Sequence, residues 1–339
     1  MRTTEATARR SENAKRGTDL EPADEREPGT GQDRDGARDR ATGQGRVADQ
    51  ERIAERLLRS TAARSYDPEL DINWAAPPEP DKVFLPPHRS SLYGTSLYER
   101  LSPQQRRELG KHEAASVAGT GIWLEFILLR LLANLAYQGD PASRHVQYAL
   151  AEMAEECRHS TMFARMIEWM GTPRYRPPRL VQRLGKMLPT VAYGPAMWGA
   201  VLIGEELTDR YQREMVTDES VQPLIRMVNR IHIMEEARHI GFARAELARS
   251  AAQLSRAELP YHRTLIGRTA YIVARNLISP EVYRSVGLDP DYAHRVALAN
   301  PAHQATIRFG GEKIVAFLTE AGLVGAPGMY WWRKSYLLP

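Results

Sequence analysis

Residues 152–159 read Glu-Met-Ala-Glu-Glu-Cys-Arg-His, and residues 232–239 read His-Ile-Met-Glu-Glu-Ala-Arg-His. Each stretch contains a Glu-x-x-His pair, Glu156/His159 and Glu236/His239. Positions i and i+3 of a helix share a face, so both side chains of a pair can reach one metal ion. A single pair arises easily by chance. Here the two copies are 80 residues apart, and the same offset relates Glu125 to Glu205. Each of these glutamates stands 31 residues before its motif, in an apolar helical setting. A buried carboxylate is costly unless it is paired or bound to a cation. Helical bundles that hold two carboxylate-bound metals take one Glu from each of two helices and a Glu-x-x-His from each of the other two. The doubled spacing therefore predicts an all-α bundle with a two-metal centre, rather than coincidental ion pairs on helix surfaces.

Several neighbouring residues stay open on spacing alone. His232 lies four residues before Glu236 and shares its face, so it can be a ligand or a structural histidine. Its counterpart at the 80-residue offset is Glu152, an extra ligand, a brace behind the ligands or a solvated charge. Glu155/Arg158 and Glu235/Arg238 are i,i+3 pairs that either brace the ligands or form ordinary helix ion pairs. Thr208 and Asp209, one turn after Glu205, either face the site or pack elsewhere. His112 and His145 read as structural or surface histidines, and Met197 and Trp198 as core. Trp331-Trp332 reads as packing in preference to a pocket lid or dimer anchor. Cys157, the one cysteine, has no partner for a disulfide and reads as inert.

The remaining chain supplies the frame. It has 339 residues, 42% hydrophobic and 26% charged, with a net charge of +4. That small excess gives no sign of nucleic-acid binding. The apolar runs are interrupted by charge, so no membrane partner is expected, and no secretion signal opens the chain. A cytoplasmic setting is expected. Residues 1–60 carry 13 basic and 13 acidic side chains, and no aromatic residue precedes Tyr66. Residues 1–75 are accordingly expected to be a disordered tail and Pro-rich connector, with the folded domain at 76–339. A short helix within 47–60 has no evident packing partner. Helices are expected at about 103–137, 141–170, 189–216, 219–250 and 257–277, with shorter ones to 323. Ser102 before Pro103 reads as the cap of the first.

The set Glu125, Glu156-x-x-His159, Glu205 and His232-x-x-x-Glu236-x-x-His239 resembles the p-aminobenzoate N-oxygenase family. Ser220-Val-Gln-Pro-Leu and Trp198-Gly-Ala-Val are similar to that family too, and the resemblance covers roughly residues 100–250. It implies a ferritin-like di-iron helical bundle with additional helices, and it makes His232 a metal ligand. Glu152 departs from the neutral residue expected there. The implied cofactors are two Fe ions, with di-Mn or mixed Fe/Mn open, and O2 as co-substrate. The implied reaction is O2 activation through a peroxo species, oxidising an arylamine through hydroxylamine to nitro in natural-product biosynthesis. The implied partners are a small-molecule substrate, an external electron donor (a ferredoxin or another reductase) and a second copy in a homodimer. Oxidation of a C–H bond at the same site is the alternative within this class. A ferritin-type iron-storage protein and a di-manganese catalase are alternatives of other classes.

Overall fold

The computed structural model describes the backbone of residues 32–339 and side chains from residue 47 onward. Residues 1–31 of the expected disordered tail lie outside the described residues. Twelve α-helices occur among the described residues, with no strand beyond a single bridge between Val83 and Val221. They are α1 (Gln32–Ala63), α2 (Pro68–Asp71), α3 (Ser96–Glu99), α4 (Pro103–Gln138), α5 (Arg144–Met170) and α6 (Arg179–Val191). There follow α7 (Gly194–Thr217), α8 (Pro223–Ala251), α9 (Leu259–Arg275), α10 (Pro290–Ala299), α11 (Pro301–Glu320) and α12 (Met329–Lys334).

Local chemistry sets the helix ends. Ser102 Oγ accepts from Gln105 N at 3.2 Å and Gln105 Oε1 accepts from Ser102 N at 3.0 Å. This reciprocal capping box, with Pro103 in the first turn, starts α4 as expected. Ser143 caps α5, which stops at Gly171 in the left-handed region.

Helices α4, α5, α7 and α8 form the central bundle, with α4 along α5, α7 along α8, and α5 facing α8. The bundle core has two apolar ends. Leu109, Ile122, Met162 and Ile225 belong to one, and Leu131, Tyr148, Trp198 and Phe242 to the other. On α4, α5 and α8 the stretch between these ends is polar and buried. It holds Glu125, Glu152, Glu155, Glu156, His159, His232, Glu235, Glu236 and His239.

Two expectations change. The sequence reading leaves 179–188 without a helix, but α6 forms there and lies on α4, with Gly185 tight against Trp123. Its apolar residues recur at helical spacing (Leu180, Leu184, Met187, Leu188, Val191), a signal masked by the flanking prolines. The segment within 47–60 also has packing partners. Ala54 and Leu57 of α1 are buried in the main core. Glu51 accepts from the backbone of Arg144 and His145 at the α5 N-terminus, at 2.7 and 3.2 Å. An anion is favoured at such a helix start. A compact unit runs from Ala48 to Pro339, so the expected boundary at 75 falls inside it. The Pro-rich connector is held by Val83 N on Ser220 O and Gln222 N on Val83 O.

By length and composition α4 could cross a bilayer, but it forms the bundle core with Glu125 at its centre.

Candidate metal centre

Four helices deliver the polar layer. Glu125 comes from α4, Glu152, Glu156 and His159 from α5, Glu205 from α7, and His232, Glu236 and His239 from α8. All eight are buried. Donor atoms of Glu125, His159, His232 and Glu236 lie within 4.8 Å of one another, and so do those of Glu156, His159, Glu236 and His239. The two groups share His159 and Glu236. Glu205 lies beside Glu236, and Glu125 beside Glu156. All seven residues expected from the sequence therefore border one buried layer.

The two Glu-x-x-His imidazoles present Nδ1 inward. His159 Nδ1 lies 2.9 Å from Glu156 and 3.1 Å from Glu236, and His239 Nδ1 lies 2.7 Å from Glu156 and 3.3 Å from Glu236. Their Nε2 atoms cross over to the opposite helix. His159 Nε2 meets Glu235 of α8 at 2.9 Å, and His239 Nε2 meets Glu155 of α5 at 2.7 Å. A carboxylate accepting from one ring nitrogen fixes the tautomer that turns the other nitrogen to a metal. Arg238 holds Glu155 at 2.6 Å, while Arg158 lies 3.7 Å from Glu155 and 3.5 Å from Glu235. The i,i+3 pairs of the sequence are thus parts of one crossed brace. Sequence spacing does not reveal the crossing, because it joins two helices.

His232 is oriented differently. Its Nδ1 meets Gln212 Oε1 at 2.9 Å. Its Nε2 points between Glu125 and Glu236 at 3.6 and 3.5 Å, and it has no hydrogen-bond partner among the described residues. Sequence reasoning missed Gln212, although it follows Glu205 by seven residues, two turns along the same helix. Burial holds the His232 imidazole down at about 4, so it is neutral.

The charges balance through protons. Burial and repulsion by Glu156 and then Glu205 push the Glu125 carboxyl well up, and burial and repulsion by Glu236 and then Glu156 do the same to Glu205. Burial opposes charge on His159 and His239, but the adjoining carboxylates outweigh it and push both well up. Buried, unpartnered Glu125 Oε2, Glu236 Oε2 and His232 Nε2 have no reason to converge without a cation. Carboxylate and imidazole donors suit iron or manganese, and divalent ions would take over the balancing role of these protons. The residues fit such a pair.

Glu152 is fully buried with neither carboxyl oxygen partnered, and burial pushes it to about 8. It is not a solvated charge. Asp209 is not brought to the site: it is buried against Arg213 at 2.8 Å. Thr208 borders the cavity beside the layer. Trp332 is buried in the core, and Trp331 packs on Tyr271 at 5.3 Å. His112 is structural, bonded to Tyr175 and Glu108. Cys157 is exposed.

A cavity of about 100 Å³ opens beside the layer, with Glu125, Glu205 and His232 in its wall. The other walls are mainly apolar, including Leu124, Phe163, Met166 and Ile225. The one arginine in its lining, Arg89, is held by Glu214 at 2.8 Å and stacks on Phe309 at 4.0 Å.

The uncharacterised protein Rv0885 of Mycobacterium tuberculosis is 32% identical over 208 residues, 59% of this chain and 61% of that protein. The uncharacterised protein Mb0909 of Mycobacterium bovis matches over the same extent. The aligned region thus spans about three-fifths of the length of these relatives. Among solved structures, a variant of an R2-like ligand-binding oxidase with an Mn/Fe cofactor aligns over 85% of this chain and 91% of its own, with a TM-score of 0.43 and 13% identity. The model of the p-aminobenzoate N-oxygenase AurF family matches residues 47–322, and with most of its length so matched the chain belongs to that family.

Proposed function

We propose that this protein is an O2-activating oxygenase that oxidises an amine nitrogen of a small, largely apolar metabolite. One observation carries the reading. Three residues of the polar layer, Glu125, Glu205 and His232, form part of the wall of an apolar cavity, so a substrate there touches the metal-binding groups. Glu125, Glu156, His159, Glu205, His232, Glu236 and His239 would hold two iron or manganese ions. Bound iron supplies two electrons for the reduction of O2, which zinc cannot do.

The first step converts R–NH2, O2, two electrons and two protons into R–NHOH and water. An external donor, a ferredoxin or another reductase, supplies the electrons. The chain's own part is positional. Leu124, Phe163, Met166 and Ile225 exclude water and bind the substrate body. Glu155 and Glu235 hold the His239 and His159 rings through Nε2. Gln212 accepts from His232 Nδ1 and so turns Nε2 toward the layer. Family membership favours this reading over iron storage or catalase chemistry. The apolar walls and the occupied Arg89 keep C–H oxidation of an apolar substrate as the second reading.

The test is metal content per chain after growth with iron and manganese, then O2 consumption with reduced protein and a panel of arylamines. About two irons per chain and amine-dependent hydroxylamine formation are expected. Two metals with product only from C–H substrates would select the second reading. No metal after reconstitution would overturn both.

A further inference from the structure

Between Glu168 and Glu205 the chain has no acidic residue and five cations, Arg174, Arg176, Arg179, Arg183 and Lys186. All five are exposed. Arg130 of α4 adds a sixth exposed charge, donating to the Lys186 carbonyl at 2.8 Å. At 100° per residue, Arg179, Arg183 and Lys186 form one stripe along α6. Leu180, Met187 and Val191 form the adjoining stripe, about 100° round the helix. These apolar side chains are 67%, 57% and 41% exposed. Tyr193 and Tyr261, also exposed, extend the patch with rings stacked at 5.4 Å.

The inner side of α6 roofs a second cavity. This space, about 200 Å³, lies between α4, α6, α7 and α9. Leu128, Leu188, Val201 and Ile272 line it, and Glu205 stands in its wall. It therefore reaches the polar layer from a different direction than the cavity that holds His232.

We propose that α6 docks the protein on an anionic lipid surface, and that the cavity beneath it admits an apolar solute from that surface to the Glu205 side of the polar layer. A helix with exposed apolar side chains flanked by Arg and Lys is suited to lie in the lipid headgroup region. Each cation near an anionic leaflet strengthens the attraction. A second copy is a poor occupant, because a two-fold contact would press the same cations together. A soluble acidic protein would match the charge but would have no use for an apolar cavity under the contact. A solute dissolved in a bilayer gains a short route. The docking stands independently of the oxygenase reading; the entry route rests on it.

The docking test uses the protein as purified and reads vesicle binding alone, so failure of the oxygenase reading leaves it intact. Flotation is measured with vesicles of phosphatidylcholine alone or mixed with phosphatidylglycerol. Binding should be at least about 10-fold stronger to the anionic vesicles. The R179E/R183E/K186E variant should lose about 100-fold, and L180S/M187S should weaken binding at unchanged charge. Equal binding to both vesicle types, no binding, or an unaffected triple variant would overturn the docking. So would binding to soluble poly-glutamate without binding to vesicles, which would assign the face to an acidic protein. For the entry route, Ala200→Phe should keep vesicle binding and weaken uptake of N-phenyl-1-naphthylamine about five-fold or more. Val201→Phe repeats the measurement if Ala200→Phe does not fold. Unchanged probe affinity in a folded variant would overturn the route.

Discussion

The α4–α5 and α7–α8 halves of the bundle carry the same charged residues at the same offset, and among the titratable groups of the polar layer they differ at one position. Glu125, Glu155, Glu156, Arg158 and His159 correspond to Glu205, Glu235, Glu236, Arg238 and His239. At the differing position the first half has Glu152 and the second has His232. His232 is turned by Gln212 and borders the cavity beside the layer, whereas Glu152 is sealed in with no partner. The repeated frame can therefore offer two similar metal positions, and His232 with Gln212, where the first half has Glu152 and Leu132, sets the cavity side apart.

The strongest way to break this symmetry is His239→Ala, which removes a donor common to the frame. Metal content should fall from about two ions per chain to under one, with far-UV circular dichroism largely unchanged. Full loading would remove His239 from the ligand set.

Glu235→Ala tests the crossed brace. The variant leaves the His159 Nε2 proton without its acceptor, so metal affinity should fall about 10–100-fold. Competition with a chelator reads this directly, and Glu155→Ala should match it through His239. An effect confined to one half would show that the halves are not equivalent in energy.

His232→Ala should retain part of the iron, because His159, His239 and the carboxylates remain. The optical decay after mixing the reduced protein with O2 should change. An unchanged decay would make His232 structural.

Glu113 offers a contrast, a buried carboxyl outside the polar layer. It accepts from Ser91 N at 2.9 Å, and burial raises it to about 7. Between the ordinary carboxyl value of 4.5 and about 7 the native protein keeps a proton that the unfolded chain loses. Stability therefore declines as pH rises through that window, by an amount of order 3 kcal/mol. Glu113→Gln should flatten this decline and be more stable above pH 7, measured by urea denaturation across pH. An unaltered slope would place the proton elsewhere.

Glu152→Gln should have the smallest effect, about 1 kcal/mol or less in stability with metal retained, because a neutral side chain of the same shape fills the site. Loss of an ion by metal analysis would make Glu152 a ligand and restore the symmetry of the halves.

The metal centre was legible because its chemistry is written in local spacing. Glu-x-x-His needs only a helical turn, and the 80-residue offset needs only two similar helix pairs. Ser102 and Pro103 likewise announced the start of α4. By contrast, α6 was hidden by Pro178 and Pro189, although its apolar spacing was present.

Other features were decided only by packing. Glu51 gained its role by meeting the α5 N-terminus, 93 residues away. The crossing of Glu155 to His239 and Glu235 to His159 requires α5 to face α8. Asp209 turned to Arg213, not to the layer, and Gln212 turned to His232. The sequence by itself determined which groups could bind metal and on which helix faces they lie, because helical period is local. The tertiary structure alone decided which acceptor each imidazole meets and where cavities open, because those depend on how separate helices pack.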